Sequence, residues 1–223
     1  MYKNKKITAL LPFKKNSERV PNKNFKELNL KPLYKWMLDK LNNIKEIDEI
    51  IINTDAYDIL EEDLSKKPKV NLKKRPESIC GDMISMNRII QNDLEESNSE
   101  IFIMTHTTNP FLEEKTIINA LNNFMTSDAD SLFTVNKFQT RFYDRNSTPI
   151  NHNLSDLKRT QDLEPYYEEN SCLYIFSKKS FNSSKNRIGK NPMMKVISKL
   201  ESLDIDDKQD WDLAELLAKS LNN

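Results

Sequence analysis

The chain has 223 residues, 37% of them hydrophobic and 30% charged, enough for one domain over 1–223 with a sizeable core. Its 34 basic and 34 acidic residues leave a formal net charge of zero, which argues against a general nucleic-acid binder. No apolar run approaches the roughly 18 residues of a membrane-spanning helix, and two histidines with two scattered cysteines, Cys80 and Cys172, suit neither zinc nor a disulfide framework, so a reducing cytoplasm is expected.

The N-terminal apolar piece is about six residues, too short for a signal peptide. "ITALL" (7–11) reads instead as a first strand. "LYKWMLDKL" (33–41) has helical spacing at Leu33, Trp36, Met37 and Leu41. "DEIIIN" (48–53) is a second strand, "DILEEDLS" a helix, and "KVNLKKR" holds a short strand. A helix follows over 85–96, with Met86, Ile89, Ile90 and Leu94 on one face. "EIFIMTH" (100–106) is a strong strand, and 113–125 a helix aligned by Ile117, Leu121 and Phe124. Further strands are expected at 130–138 and 171–177. The last helix carries Trp211, Ala214, Leu217, Ala218 and Leu221.

Strands alternating with helices predict an α/β fold: three layers, a mostly parallel sheet with helices on both faces. Ligands of such sheets bind at the carboxyl ends of strands, and the polar clusters follow strands here. Segment 138–170 breaks the pattern. It is polar and aromatic, with weak periodicity, and reads as an excursion that serves as lid, dimer arm or both.

Four stretches could carry chemistry. "LLPFKKNSERVPNKN" (10–24) packs Lys14, Lys15, Arg19 and Lys23 with Asn16, Ser17, Asn22 and Asn24 after the first strand. That suits a phosphate, although neither glycine-rich phosphate motif is present. "SLDIDDKQDWDLAE" places Asp204 and Asp206 two apart. On a strand both would share one face, roughly 7 Å apart, as suits Mg²⁺ held by one or two carboxylates plus phosphate oxygens. A carboxylate pair without a cation would repel. Asp207 with Asp210, or Asp206 with Gln209, could instead cap the last helix. In "KRPESICGDMIS", Gly81 marks a position needing positive φ or close approach. "THTTNP" puts His106 at a strand end. No G-x-S-x-G elbow exists for hydrolysis.

Taken in order, these stretches resemble the acylneuraminate cytidylyltransferase family, relatives of CMP-sialic acid and CMP-Kdo synthetases. The family's first-loop pattern stands as Leu11 to Asn24 and its K-P-L as Lys31-Pro32-Leu33. Its S-T-D stands as Asn53-Thr54-Asp55, its R-P-x-x-L-x-x-D as Arg75-Pro76 to Asp82, and its Q-P-T-S-P as His106 to Pro110. Its R-R-Q-D-L-P-P segment matches Arg159 to Ser171 and its D-I-D matches Asp204-Ile205-Asp206. The resemblance runs from residue 7 to about 218. It implies a CTP- and Mg²⁺-dependent transfer of CMP to a sugar-acid-like acceptor, with loss of pyrophosphate, by a homodimer that binds neither membrane nor nucleic acid.

By carry-over, Lys14, Ser17, Lys23 and Asn24 hold the triphosphate. Arg75, Asp82 and Ser85 lie near cytosine and ribose, and Asp204 and Asp206 bind metal. Lys14, Lys23 and Asp206 form the catalytic set. His106, Arg159, Gln161 and Glu168 face the acceptor. The departures concern that last group: the family's Gln is His106, one Arg is Thr160 and another is Glu168, which argues for an acceptor other than ordinary sialic acid. Another sugar, a phosphonate-type acid, a different nucleotide, or a non-catalytic nucleotide-binding relative are the alternatives.

Overall fold

The structure, a computed structural model, describes residues 5–221, so the two ends of the expected domain lie outside it. Its strands and helices follow one another along the chain. β1 (Ile7–Leu10) leads into a long loop, the hairpin β2 (Glu27–Leu28) and β3 (Lys31–Pro32), and α1 (Leu33–Asn43). Next come β4 (Glu49–Thr54), α2 (Tyr57–Leu64), β5 (Val70–Lys74), α3 (Met86–Glu96), β6 (Ile101–Thr105) and α4 (Glu114–Thr126). The C-terminal half holds β7 (Ser131–Phe138), β8 (Tyr166–Ser177), α5 (Lys178–Ser184), β9 (Pro192–Val196) and α6 (Lys208–Ser220).

Seven strands form one sheet in the order β5-β4-β1-β6-β8-β7-β9. Among the described residues only β8 runs against its neighbours; β5, β4, β1 and β6 pair in parallel, as do β7 and β9. Short runs of Ile, Leu and Val produce this arrangement because strands buried on both faces read as unbroken apolar segments. All four residues of β1 and all five of β6 are buried. Met37, Leu41, Leu60, Ile117 and Leu121 from α1, α2 and α4 cover one face of the sheet. Ile90 and Leu94 of α3 and Phe181 of α5 cover the other. The expected three-layer α/β architecture is therefore observed.

β1 has β4 on one side and β6 on the other, so the strand order reverses at β1. That is where a parallel sheet opens a crevice at its carboxyl end. α6 closes the structure by packing Trp211, Ala214 and Ala218 on Leu28, Leu33 and Phe111.

Two expectations change. Residues 203–206 form no strand. Ile205 N–H donates to the Thr108 carbonyl (2.9 Å), and the Leu203 carbonyl accepts from the Asn109 amide (3.3 Å), so loop groups take the place of a ladder partner. The excursion is also shorter than 138–170, because 166–170 belong to β8, which pairs with β7 out to Phe138. Three elements carried too little pattern to be expected: the β2–β3 hairpin, the short α5, and β9, an edge strand that starts on proline.

Candidate active site

One cavity of about 370 Å³ opens at the carboxyl ends of β1 and β6, and Lys14, Ser17, Lys23, Asn24, Arg75, Asp82, His106 and Asp206 all line it. These residues come from four separate stretches of chain.

The first loop is held open without glycine. Asn22 adopts the left-handed conformation (φ 54°), which asparagine tolerates better than most side chains. The Asn22 carbonyl accepts from the Phe25 and Lys26 N–H groups (2.9 and 3.0 Å), and Lys23 N–H donates to the Val20 carbonyl. Asn24 donates from Nδ2 to the Lys14 carbonyl (2.8 Å) and accepts from the Thr107 hydroxyl (2.6 Å). Asn24 thereby ties the loop to the end of β6.

Lys23 is a buried cation of the site. Its Nζ donates to the Ile205 carbonyl and lies 3.9 Å from Asp206. Burial pulls its pKa down, against the upward pull of Asp206 and Asp204. Lys14 pairs with Asp82, whose carboxyl is held below its usual range chiefly by that hydrogen bond. Arg75 is almost fully buried. It donates to the Asn53 side chain (2.9 Å) and to the carbonyls of Asn53 (2.7 Å) and Phe13 (3.1 Å). Arg75 thus clamps the ends of β1 and β4 together while lining the cavity. Behind it Asn53 donates to Asp93 (2.6 Å), whose carboxyl burial raises to about 7.

His106 sits at the inner wall. Burial first, then the charges of Arg187 and Lys23, lower its pKa to about 4, so it is neutral at pH 7. Gly81 has φ 102°, in keeping with the positive φ expected of it.

The two aspartates differ. Asp206 faces the cavity, while Asp204 lies behind it with Oδ1 buried and without a hydrogen-bond partner. Burial raises the Asp204 pKa, opposed by Thr108 and Lys23. The pair does not need a metal in order to coexist, because Arg19 Nη2 lies 2.8 Å from Asp206 Oδ1 and Lys23 adds its charge. Asp207 and Asp210 form the capping box of α6. The cap and the Asp204–Asp206 pair are therefore separate devices.

Five of the expected site residues lie outside this cavity. Ser85 is the N-terminal flank of α3 and lines a neighbouring hollow. Arg159 is exposed and bonded to Asp162 (2.8 Å). The Gln161 carbonyl accepts from Gln139, and Glu168 accepts from Asn136 (2.9 Å). All three lie in the excursion or the outer β7–β8 ribbon. Arg19, a base of the phosphate-suited loop, and Thr107 and Thr108 of the polar cluster after β6 also line the cavity, whereas Ile84, Met86 and Ile89 were not expected there. Arg19 lay within the basic loop; the apolar wall from α3 gave no sign beyond helical spacing.

The parallel sheet, the crevice at its switch point and a cationic cavity define a nucleotide-binding α/β protein of the nucleotidyltransferase class. The chain belongs to the cytidylyltransferase family, whose model matches residues 8–221. It is 26% identical to an N-acylneuraminate cytidylyltransferase of Escherichia coli across 97% of this chain and 53% of that protein. It is 24% identical to a pseudaminic acid cytidylyltransferase of Campylobacter jejuni across 96% of this chain and 97% of that one. The chain thus spans about half the length of the first relative and nearly all of the second. Among solved structures, CMP:2-keto-3-deoxy-manno-octonic acid synthetase complexed with CTP shares the fold with a TM-score of 0.69 at 10% identity, over 97% of this chain and 99% of that one. The 4-diphosphocytidyl-2C-methyl-D-erythritol synthase of Anaerococcus prevotii does so with 0.68 at 16%, over 96% of each.

Proposed function

We propose that the protein transfers CMP from CTP to a sugar-acid acceptor and releases pyrophosphate. The observation that carries this is the convergence of Lys14, Ser17, Lys23, Asn24, Arg75, Asp82, His106 and Asp206 on one cavity at the switch point of the sheet. The acids named for the relatives support the acceptor class.

Attack on the α-phosphorus places negative charge on phosphate oxygens, so positioning and cationic stabilisation supply most of the catalysis. Lys23, fixed by the Ile205 carbonyl, offers a charge that needs no reorganisation. Lys14 and Arg19 exchange their carboxylate partners for phosphate oxygens when the triphosphate enters. Ser17 offers its hydroxyl to the triphosphate, and the Arg75 clamp sets the loop's distance from β4. A neutral His106 with a pKa near 4 is a weak base at pH 7, so it orients the acceptor by hydrogen bonding rather than taking its proton.

Asp204 and Asp206 fit a magnesium ion: both offer hard oxygen donors, and the buried Asp204 Oδ1 lacks a partner that a cation or its water would supply. When bound, Mg²⁺ would neutralise the triphosphate and polarise the α-phosphoryl group. Arg19 would then release Asp206.

The excursion supports a homodimer. Tyr143, Ile150, Leu154, Leu157, Tyr166 and Tyr167 are all exposed on it and on the adjoining ribbon, a grouping that marks interaction surfaces. Light scattering at micromolar concentration should give twice the chain mass; a monomer removes the dimer. For the reaction, CTP, Mg²⁺ and a panel of sugar acids should yield pyrophosphate with at least one acid. CTP binding with no pyrophosphate from any acid or sugar would leave a nucleotide-binding protein without transferase activity.

A further inference from the structure

Beside the nucleotide cavity lies a second hollow of about 260 Å³, lined by Ser85, Met86, Asn87, Glu169, Asn186, Arg187 and Ile188. The two cavities share Met86 as a common wall. Among the described residues, Arg187 is the only cation lining the second. In the first, Lys14, Arg19 and Lys23 face Asp82 and Asp206, and Arg75 is committed to backbone carbonyls. Arg159 lies outside both, held by Asp162.

Arg187 is fixed rather than waving in solvent. Its guanidinium lies over the Tyr174 ring (3.9 Å to the centroid), and Nη2 donates to the Tyr174 hydroxyl (2.9 Å). Nη1 reaches the Met104 sulfur at 3.9 Å, and the backbone N–H donates to Asn87 on α3 (3.4 Å). Only 18% of the side chain is exposed. Its acidic neighbour, Glu169, stands 3.5 Å away and also accepts from Tyr174, which makes it a loose partner. A planar guanidinium held on one face by an aromatic ring still has N–H groups to offer a planar anion. The Met104 contact sets Arg187 beside the end of β6, two residues before His106.

We infer that Arg187 holds the carboxylate of the sugar-acid acceptor, with His106 between that carboxylate and the nucleotide. Arg187 reaches the hollow from the loop between α5 and β9. Glu169 is the internal stand-in for the acceptor's carboxylate and turns aside when it arrives. This assignment rests on the proposed transfer to a sugar acid.

The test uses a sugar acid that the wild-type enzyme turns over, paired with its carboxamide analogue. Arg187→Ala should raise KM for the acid about 10- to 100-fold, the loss expected for a charge-assisted hydrogen-bonded pair. Arg187→Lys should recover part of that, and Glu169→Gln should lower KM a few-fold. CTP affinity by calorimetry should stay within about 2-fold in all three. Wild-type enzyme should prefer the acid over the amide, and Arg187→Ala should lose most of that preference. If Arg187→Ala turns over with the wild-type acid-to-amide ratio, Arg187 does not read the carboxylate, although the transferase reading stands. If the wild-type enzyme releases no pyrophosphate with any sugar acid, both readings fall.

Discussion

The two halves of the site are built differently. On the nucleotide side, cavity residues are cross-linked through backbone carbonyls and buried side chains: Arg75 to Phe13 and Asn53, Asn24 to Lys14 and Thr107, Lys23 to Ile205. Of the residues expected to face the acceptor, Arg159, Gln161 and Glu168 sit on an exposed ribbon and excursion, bonded to their own neighbours. A side chain that also holds the fold has little freedom to change. A side chain on a solvated ribbon can be replaced at little cost to stability, so the ribbon residues can change while the cavity's cross-links persist.

The largest effect that tests this contrast is on turnover. Lys23→Ala should cut CTP-dependent turnover about 10²- to 10³-fold, the scale of losing one preorganised donor at the reacting phosphate. A loss under 10-fold in steady-state kinetics would mean that Lys23 is a structural lysine. Next comes stability. Arg75→Ala leaves the Phe13 and Asn53 carbonyls short of a donor and should cost about 3 kcal/mol, a fall in Tm of about 6–12 °C. An unchanged Tm by calorimetry would show that the clamp does not couple β1 to β4.

Asp93 gives a pH signature. Its folded carboxyl titrates near 7 against an ordinary value of 3.8, so the folded state binds the proton more tightly than the unfolded chain. That contribution to stability is fully present below about pH 4 and is lost as the pH rises through 7. Asp93→Asn should flatten this fall in urea denaturation between pH 5 and 8. A variant with the wild-type slope would place the titration elsewhere. The smallest effect lies on the ribbon: Arg159→Ala and Glu168→Ala should each leave the CTP Kd within about 2-fold. A 10-fold change would tie the ribbon to the nucleotide after all.

Most of the nucleotide half was legible because it is local. A strand, its polar sequel and the next helix are contiguous in sequence, and the strand-end rule brings the sequels together. The Asp204–Asp206 pair was found by spacing, yet for a geometry that is absent: period two implies a strand only where a ladder partner exists, and none reaches 203–206. Arg187 could not be found that way. Its role depends on the loop after α5, a helix of about two turns, and on the ring of Tyr174 from β8, and no motif links those residues. Arg159, Gln161 and Glu168 were legible as a motif but not as a place, because the ribbon carries them away from the cavity in a single chain.

The nucleotide half is tested most directly by competition calorimetry of CTP, UTP, GTP and ATP on the full chain with Mg²⁺. CTP should bind at least 10-fold more tightly than the other three, and Lys23→Ala should weaken that binding. Equal affinity for all four, or CTP binding indifferent to Lys23, would contradict a cytidine-nucleotide site at the end of β1.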